Sequence, residues 1–303
     1  MSASGAASVR RVRTSVLEIA YEENGPADGV PVLLMHGFPD DVRTWDGVAT
    51  QLAGKGCRVI VPYLRGYGPT RFLSAATLRS GQQGAIGSDL KELLDVLQIE
   101  RAVLAGYDWG GRAACITAAL WPERVRGLVS ICGYNIQDIA NNVKPEAAEY
   151  EWRYWYQWYF NTARGIAGLT ENRHDLCRLI WKFWSPNWPF DDATYAATGA
   201  AFENPDFVDI VIHSYRHRFQ AAPGDPAYAE IERRLALRPK IAVPTVVLHG
   251  AEDGVDLPEL SEHDAPHFTG SYRREVVPVV GHFFPREAPD KVADAVLELI
   301  AKA

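Results

Sequence analysis

Short apolar runs alternate with polar segments of helical period along the first 130 residues. The runs have the length and composition of buried strands, and they are residues 30–35, 57–62, 102–105 and 125–132, with a looser alternation at 16–23. Apolar positions at helical spacing predict helices at residues 45–52, 76–97 and 110–120. Strands that alternate with helices are typical of an α/β fold with a mostly parallel, doubly wound sheet.

The alternation stops in the middle of the chain. Residues 134–237 carry aromatic, helix-like segments broken by prolines and no clear strand, and they hold six of the nine tryptophans. The remaining predicted elements are strands at 245–250 and 275–280 and a closing amphipathic helix at 291–301. We therefore predict a core domain built from residues 1–133 and 238–303, with 134–237 inserted between strands as a helical cap.

Composition narrows the class of protein. A net charge of −7, with both signs interspersed, argues against nucleic acid as a partner. No apolar run reaches transmembrane length, and the first thirteen residues lack the apolar segment of a secretory signal, so we expect no membrane partner. The four cysteines lie far apart, as free thiols of a reducing compartment do, which predicts a cytoplasmic protein. We expect a monomer or a homodimer.

The most informative motif is Gly106-Tyr107-Asp108-Trp109-Gly110, which joins a predicted strand to a predicted helix. A tight turn of this kind needs small residues on both sides, and the two glycines supply them. Asp108 at the apex would project beyond the carboxyl edge of the sheet, where open α/β sheets bind ligands, and the helix N-terminus favours its negative charge. Simple capping of the helix by Asp108 is the alternative that this motif alone leaves open.

Two polar residues follow later strands. Asp253 lies three residues past Gly250, and His282 comes directly after the next predicted strand. The order Asp, Asp, His, with both later residues in loops that follow strands, is the order of a catalytic triad in which an acid orients a histidine base. Asp138 and Asp256 are alternative acids, and we prefer Asp253 because it lies so close to the end of its strand.

From residue 16 to 303 the chain resembles the α/β-hydrolase fold. The segments His36-Gly37-Phe38-Pro39, Gly106 to Gly110 and Gly281-His282 resemble motifs of epoxide hydrolases and of haloalkane and haloacid dehalogenases, which share an aspartate nucleophile. In the cap, Tyr156-Gln157-Trp158-Tyr159-Phe160 and Ser214-Tyr215-Arg216 are similar to the two lid motifs of epoxide hydrolases. The resemblance therefore implies hydrolysis of an epoxide to a vicinal diol.

The resemblance also implies a role for each residue. Asp108 would form an alkyl-enzyme ester while Tyr156 and Tyr215 protonate the opened oxygen, and His282, oriented by Asp253, would activate the water that cleaves the ester. The backbone N–H groups of Phe38 and Trp109 would form the oxyanion hole. Substrate contacts are expected from Phe38, Trp109, Trp158 and His36. The expected substrate is a small apolar epoxide, and neither metal nor organic cofactor is needed.

Two other functions stay open. In a haloalkane dehalogenase the indole N–H groups of Trp109 and Trp158 would hold the halide, whereas a fluoroacetate-type enzyme would use two arginines, of which Arg112 is one and Trp109 occupies the place of the other. A ligand-binding member of the fold without activity is the more remote alternative. Tyr107 departs from the pattern, since a histidine is common beside the nucleophile.

Overall fold

A twisted sheet of nine strands runs through the centre of the computed structural model, which describes residues 8–302. In spatial order the strands are β1 (Arg10–Arg13), β2 (Leu17–Asn24), β4 (Cys57–Pro62), β3 (Val30–Met35), β6 (Ala102–Gly106), β7 (Val125–Ile131), β8 (Thr245–Gly250) and β9 (Tyr272–Val277), with β5 (Arg71–Phe72) paired to β2. The six strands from β4 to β9 along this order are parallel, whereas β2 runs antiparallel to its neighbours. The predicted α/β fold with a mostly parallel sheet is confirmed.

Thirteen α-helices lie within the described residues. They are α1 (Asp46–Gly54), α2 (Gln83–Val96), α3 (Asp108–Leu120), α4 (Ala148–Arg153), α5 (Trp155–Phe160), α6 (Ala163–Glu171), α7 (Arg173–Trp184), α8 (Asp192–Gly199), α9 (Phe207–Arg218), α10 (Ala229–Ala236), α11 (Glu259–Glu262), α12 (Phe284–Glu287) and α13 (Pro289–Lys302). Helices α1, α2, α3 and α13 pack against the sheet and bury the apolar strands between them.

Strand β1 was not predicted because its sequence, Arg-Arg-Val-Arg, contains no apolar run. It is an edge strand that pairs with β2 and is mostly exposed. Arg10 contacts Glu23, and Arg11 contacts Glu18 at 3.2 Å, so its side chains are held by charge rather than by burial. Hydrophobic periodicity cannot identify a strand of this kind.

Two elements differ from their predicted boundaries because contacts with distant parts of the chain or a turn of the backbone end them: the start of α2 and the end of β9. The helix expected at 76–97 begins at Gln83, because Ser80 is held by the Arg65 guanidinium at 2.7 Å and Gly81 packs so closely on α9 that a Cβ would lie 2.3 Å from the Ile210 carbonyl oxygen. The strand expected at 275–280 is β9, which ends earlier since Val279 takes a positive φ of 67°. That turn delivers the chain to the loop of His282.

Between β7 and β8 the chain folds into helices α4 to α10, and residues 132–244, all of them described, form no strand. Trp181 of α7 fastens this helical region to the core: its indole N–H donates to the Pro39 carbonyl at 2.7 Å, and its ring packs on Phe283 with centroids 5.1 Å apart. The region therefore lies over the loops that follow β3 and β9. The exact division at residues 133 and 238 stays a prediction.

The four cysteines are free thiols, of which Cys132 is half-buried and the others are buried. Across residues 8–302, none of the helices combines the length and the apolar character required to cross a lipid bilayer.

The turn from β6 to α3 depends on two glycines. A Cβ on Gly106 would lie 2.5 Å from the Gly110 carbonyl carbon, and a Cβ on Gly110 would lie 2.0 Å from the Met35 carbonyl oxygen. The first turn of α3 is thereby packed directly on the end of β3. No side chain fits between these two backbone segments.

We expect Gly110→Ala to destabilise the protein by about 1–3 kcal/mol or more, because a methyl group there overlaps rigid backbone. Gly54→Ala is the matched control, since a Cβ at Gly54 meets nothing within 4 Å. Urea unfolding followed by circular dichroism measures both. Equal stability of the two variants would contradict the close packing of this turn.

Candidate active site

Asp108 is the first residue of α3 and has a positive φ of 49°. A non-glycine residue in the left-handed region is strained, and such strain is characteristic of functional turns. Gly37 lies directly against it, where a Cβ would come within 2.5 Å of the Asp108 Cβ. The carboxylate therefore stands at the carboxyl end of β6, half-buried and pointing away from the sheet.

The backbone N–H of Phe38 donates to Oδ1 of Asp108 at 2.7 Å. This is the N–H that the sequence predicted for the oxyanion hole, and it binds Oδ1 rather than Oδ2. Trp109 is the second residue of α3, and a backbone N–H in the first turn of a helix has no acceptor within that helix. Both predicted donors thus belong to segments that meet at Asp108.

His282 and Asp253 form a buried pair. Nδ1 of His282 lies 2.8 Å from Oδ2 of Asp253, whose other oxygen accepts the backbone N–H groups of Val255 and Asp256 at 2.9 Å. Of the three candidate acids, Asp253 is the one that contacts His282; Asp256 accepts the Tyr154 hydroxyl at 3.0 Å. Nε2 of His282 has no hydrogen-bond partner in the part of the chain that the structure describes.

Electrostatics set the charge state of this pair. Burial alone would lower the pKa of His282, but the negative charges of Asp253, Asp256 and Asp108 outweigh it and raise the pKa to about 9. For Asp253, burial opposes ionisation, yet the charge and hydrogen bond of His282 lower its pKa. The resting site therefore holds an imidazolium beside the Asp253 carboxylate at neutral pH.

The end of α7 joins the two loops that carry the pair. The Trp184 carbonyl accepts the backbone N–H of Gly254 at 2.9 Å and that of His282 at 3.0 Å. Ser185, the next residue, accepts the Phe283 N–H at 3.0 Å. Sequence reasoning missed these positioning residues, and no local motif marks them, because their contacts join distant parts of the chain.

Tyr156 on α5 and Tyr215 on α9 face one another from the cap, with ring centroids 5.3 Å apart and perpendicular planes. Burial raises the pKa of both phenols above the usual value, so each retains its proton at neutral pH. The Tyr156 oxygen accepts from Gln157 Nε2 at 2.9 Å. The Tyr215 hydroxyl finds no partner within residues 8–302.

An aromatic cluster connects the tyrosines to the core. The Phe38 ring stacks on Trp109 at 5.8 Å and meets the edge of Tyr215 at 5.5 Å. Trp109 is fully buried, and its indole N–H has no acceptor among the described residues. Buried polar groups are rarely left unpaired in proteins, so an N–H and an O–H here mark a place for atoms of a bound molecule.

Of the four predicted substrate contacts, Phe38 and Trp109 are fully buried and, like Tyr215, do not line the cavity that opens beside Asp108. His36 is fully buried: its Nε2 accepts the Leu64 N–H at 3.1 Å, its Nδ1 contacts the Gly37 carbonyl at 3.1 Å, and burial lowers its pKa to about 4. Both ring nitrogens thus contact backbone groups, and the ring does not line the cavity that opens beside Asp108. Trp158 does line it, stacked on Phe219 with 40% of its surface exposed.

This cavity beside Asp108 has a volume of about 440 Å³. Tyr156 and Gln157 line it together with charged side chains of both signs, which include Arg112, Arg218 and Asp256. The sequence led us to expect an apolar pocket, and an apolar substrate stays a prediction; the lining of this cavity is largely polar and charged. Arg218 was missed because nothing in the cap sequence distinguishes it from neighbouring basic residues.

Tyr107, the departure from the family pattern, has a defined contact. Its hydroxyl donates to Asp40 at 2.7 Å, and Arg286 donates to the same carboxylate. These side chains are buried beneath the nucleophile turn, so they support the turn without reaching the cavity.

Cys132 forms two close clusters that could in principle hold a metal ion, one with His249 and Asp253 and one with Asp256 and His282. Burial and the charge of Asp253 raise the pKa of the Cys132 thiol far above its usual value. Because a metal needs the thiolate, and because Asp253 of the first cluster and His282 of the second already bind each other, we assign no metal role to these residues.

Residues 30–289 match the family described as the alpha/beta hydrolase fold. The chain belongs to the α/β hydrolase fold family. A crystal structure named as that of a candidate epoxide hydrolase from Klebsiella pneumoniae is 48% identical, covers 96% of each chain and superposes with a TM-score of 0.94. These matches confirm the fold and the family predicted from sequence.

Other relatives of this hydrolase carry related names. Epoxide hydrolase A of Mycobacterium tuberculosis is 25% identical over 98% of each chain. An epoxide hydrolase of Caballeronia sordidicola is 36% identical, but the match spans only 33% of its length. A haloalkane dehalogenase variant from Bradyrhizobium elkanii, 22% identical over 98% of each chain with a TM-score of 0.76, shares the fold.

We expect NMR titration of His282 to give a pKa near 9 in the free enzyme, with the proton held below that pH and lost above it. Asp256→Asn removes one of the negative charges that raise this pKa and should lower it. Asp138→Asn is the control, because Asp138 lines the same cavity but makes its contact with Asn141. A pKa that is the same in Asp256→Asn as in the unaltered enzyme would contradict this balance of charges around His282.

Proposed function

We propose that this α/β hydrolase is an epoxide hydrolase that forms a covalent ester on Asp108. The observation that carries the proposal is the pair of protonated phenols, Tyr156 and Tyr215, held by the cap next to a carboxylate nucleophile. An epoxide needs both features, since its carbon must be attacked while its oxygen receives a proton. The names of the similar proteins support the same activity.

In the first step, Oδ2 of Asp108 attacks an epoxide carbon and forms a C–O ester bond. The ring C–O bond breaks, its electron pair stays on the oxygen, and one tyrosine transfers its proton there. Oδ1, already bound by the Phe38 N–H, becomes the carbonyl oxygen of the ester. Tyr156 lines the cavity, and the Tyr215 hydroxyl, which has no partner within residues 8–302, belongs to the ring that packs against Tyr156.

In the second step, His282 must act as a base although it is charged in the resting enzyme. Esterification neutralises Asp108, and the loss of this negative charge, a smaller contribution than those of Asp253 and Asp256, lowers the pKa of His282. The imidazolium first gives its Nε2 proton back to the tyrosine that was deprotonated in the first step. With Nδ1 held by Asp253, Nε2 then takes a proton from water. The hydroxide attacks the ester carbon and Oδ1 carries the oxyanion; the bond from that carbon to the alkyl oxygen then breaks, and the alkyl oxygen leaves as the diol with the proton of the added hydroxyl. The first step thus prepares the base for the second.

One observation favours a second candidate, dehalogenation. The indole N–H of Trp109 is buried next to the nucleophile and has no acceptor within the described chain, as a halide-binding donor would be. A halide leaves without a proton, so this activity would not need either tyrosine. The two functions therefore differ in their dependence on the cap phenols.

The deciding assay measures diol formation from styrene oxide alongside halide release from haloalkanes and fluoroacetate. We expect diol from the unaltered enzyme, none from Asp108→Ala, and at least a tenfold loss in kcat for Tyr215→Phe, as for removal of a general acid. Tyr159→Phe, on the same helix as Tyr156 and partly exposed, is the control that should keep its rate. Halide release without diol would replace the proposal by dehalogenation.

A further inference from the structure

The proposed mechanism leaves one thiol beside the acid–base pair without a role. The S–H group of Cys132 donates to Oδ2 of Asp253 at 3.4 Å, and the same oxygen lies 2.8 Å from Nδ1 of His282. Sγ of Cys132 also lies within 4.8 Å of a ring nitrogen of His282. Although Cys132 lines the cavity beside Asp108, its hydrogen bond is thus directed to the acid, at the atom that contacts the base.

The backbone turn that carries Cys132 is held on both sides. Cys132 directly follows β7 and takes a positive φ of 70°, and Gly133 takes one of 104°. A non-glycine residue in this region is strained, and such strain persists where the surroundings fix it. Here the Cys132 N–H donates to the Leu248 carbonyl at 2.9 Å. The side-chain amide of Asn135 donates to the carbonyl oxygens of Ile131 at 3.0 Å and Gly133 at 3.1 Å. The thiol therefore projects from a fixed piece of backbone.

Four donors surround the Asp253 carboxylate. Oδ1 accepts the backbone N–H groups of Val255 and Asp256, both at 2.9 Å, whereas Oδ2 is shared between His282 and Cys132. Asp253 is buried, so these hydrogen bonds stabilise its charge in place of water. A donor that stabilises a carboxylate weakens the attraction of that carboxylate for another proton. The S–H group therefore opposes the interaction of Asp253 with the Nδ1 proton of His282.

Cys132 keeps its proton at neutral pH and is a donor rather than a thiolate. Burial and the negative charges of Asp253 and Asp256 raise the pKa of its thiol far above the usual value. The buried thiol of Cys57 differs, because burial alone raises its pKa and no charged group acts on it. Of these two cysteines, Cys132 is thus the one whose S–H group faces carboxylates.

From these contacts we infer that Cys132 is a positioning residue, whose S–H group weakens the interaction of Asp253 with the imidazolium of His282 and so helps His282 to act as a base. The inference rests on the proposed function, in which His282 must release its Nε2 proton before it activates water. Imidazolium is held by Asp253 more strongly than neutral imidazole is, so a competing donor on Oδ2 favours the neutral form. Cys132 acts through Asp253 and not on the reacting atoms.

Other titratable groups also face the acid–base pair. They are Asp108 on α3, Asp256 in the Asp253 loop, His249 on β8, Glu287 on α12 and Tyr107 before α3, whose ring lies 5.7 Å from that of His282. All of them stay in place when the side chain of Cys132 is changed. A comparison of variants at this one position therefore isolates the contribution of the S–H group.

The first test measures the pKa of His282 by NMR in the free enzyme. Cys132→Ala removes the donor and should raise this pKa by about half a unit, as for the loss of one weak hydrogen bond. Cys132→Ser keeps an O–H donor and should restore most of the original value. Cys57→Ala is the matched control, since Cys57 begins β4 at the edge of the sheet opposite Asp108. A pKa of His282 that does not rise in Cys132→Ala overturns the inference.

Infrared spectroscopy detects the hydrogen bond itself and involves no titration. The difference between the unaltered enzyme and Cys132→Ser assigns the S–H stretching band of Cys132, and the difference from Cys57→Ala assigns that of Cys57. We expect the Cys132 band at the lower frequency, because donation to a carboxylate weakens the S–H bond. Equal frequencies of the two bands would show that Cys132 does not donate to Asp253 and would overturn the inference.

The pH dependence of single-turnover diol formation from styrene oxide connects the thiol to the reaction. Hydrolysis of the ester should become faster as His282 loses its proton, and the midpoint of this rise should lie about half a pH unit higher in Cys132→Ala, with the rate above it within twofold. If the pKa of His282 shifts but no epoxide is hydrolysed, the proposed function fails and the positioning role stands. If epoxides are hydrolysed and neither the midpoint nor the pKa responds to Cys132→Ala, the inference is wrong and the proposed function stands.

Discussion

The close packing of the first turn of α3 on the end of β3 is the constraint on which the site depends. Gly37 and Gly110 leave no room for a side chain, so the two backbone segments touch, and Asp108 is forced into the left-handed region between them. That contact places the Phe38 N–H 2.7 Å from one carboxylate oxygen and frees the other. One backbone contact thus distinguishes the two oxygens of Asp108, of which the anchored one becomes the ester carbonyl oxygen in the proposed mechanism and the other attacks the substrate.

The cap completes the site in two ways. Its aromatic helices bring two protonated phenols together near Asp108, and the end of α7 binds the loops of Asp253 and His282 through the Trp184 carbonyl. In the proposed mechanism the charge of Asp108 adds to those of Asp253 and Asp256 in raising the pKa of His282 before esterification, and no longer does so afterwards. Groups of the core and of the cap therefore both determine the surroundings of Asp108 and His282.

Much of this was predictable from sequence, and the exceptions have physical reasons. Apolar runs predicted the parallel strands, glycine spacing predicted the turn at Asp108, and the loops after the strands predicted the positions of Asp253 and His282, which contact each other; their catalytic roles stay a prediction. Periodicity missed β1, whose side chains are held by ion pairs. It also missed Trp184 and Arg218, since a backbone carbonyl and a basic residue acquire their roles only when distant segments meet. The sequence suggested an apolar pocket because the aromatics dominate the cap composition, whereas the guanidinium groups line the cavity.

The central claim is that Asp108 forms a covalent ester with the substrate. A single turnover in ¹⁸O-water, with enzyme in excess over styrene oxide, tests it directly by mass spectrometry of the diol and of the peptide that contains Asp108. We expect ¹⁸O in the Asp108 carboxylate and none in the first diol, since water attacks the ester carbon and the diol takes its new oxygen from the protein. Label in the first diol with an unlabelled Asp108 would contradict the claim and indicate direct attack of water on the epoxide.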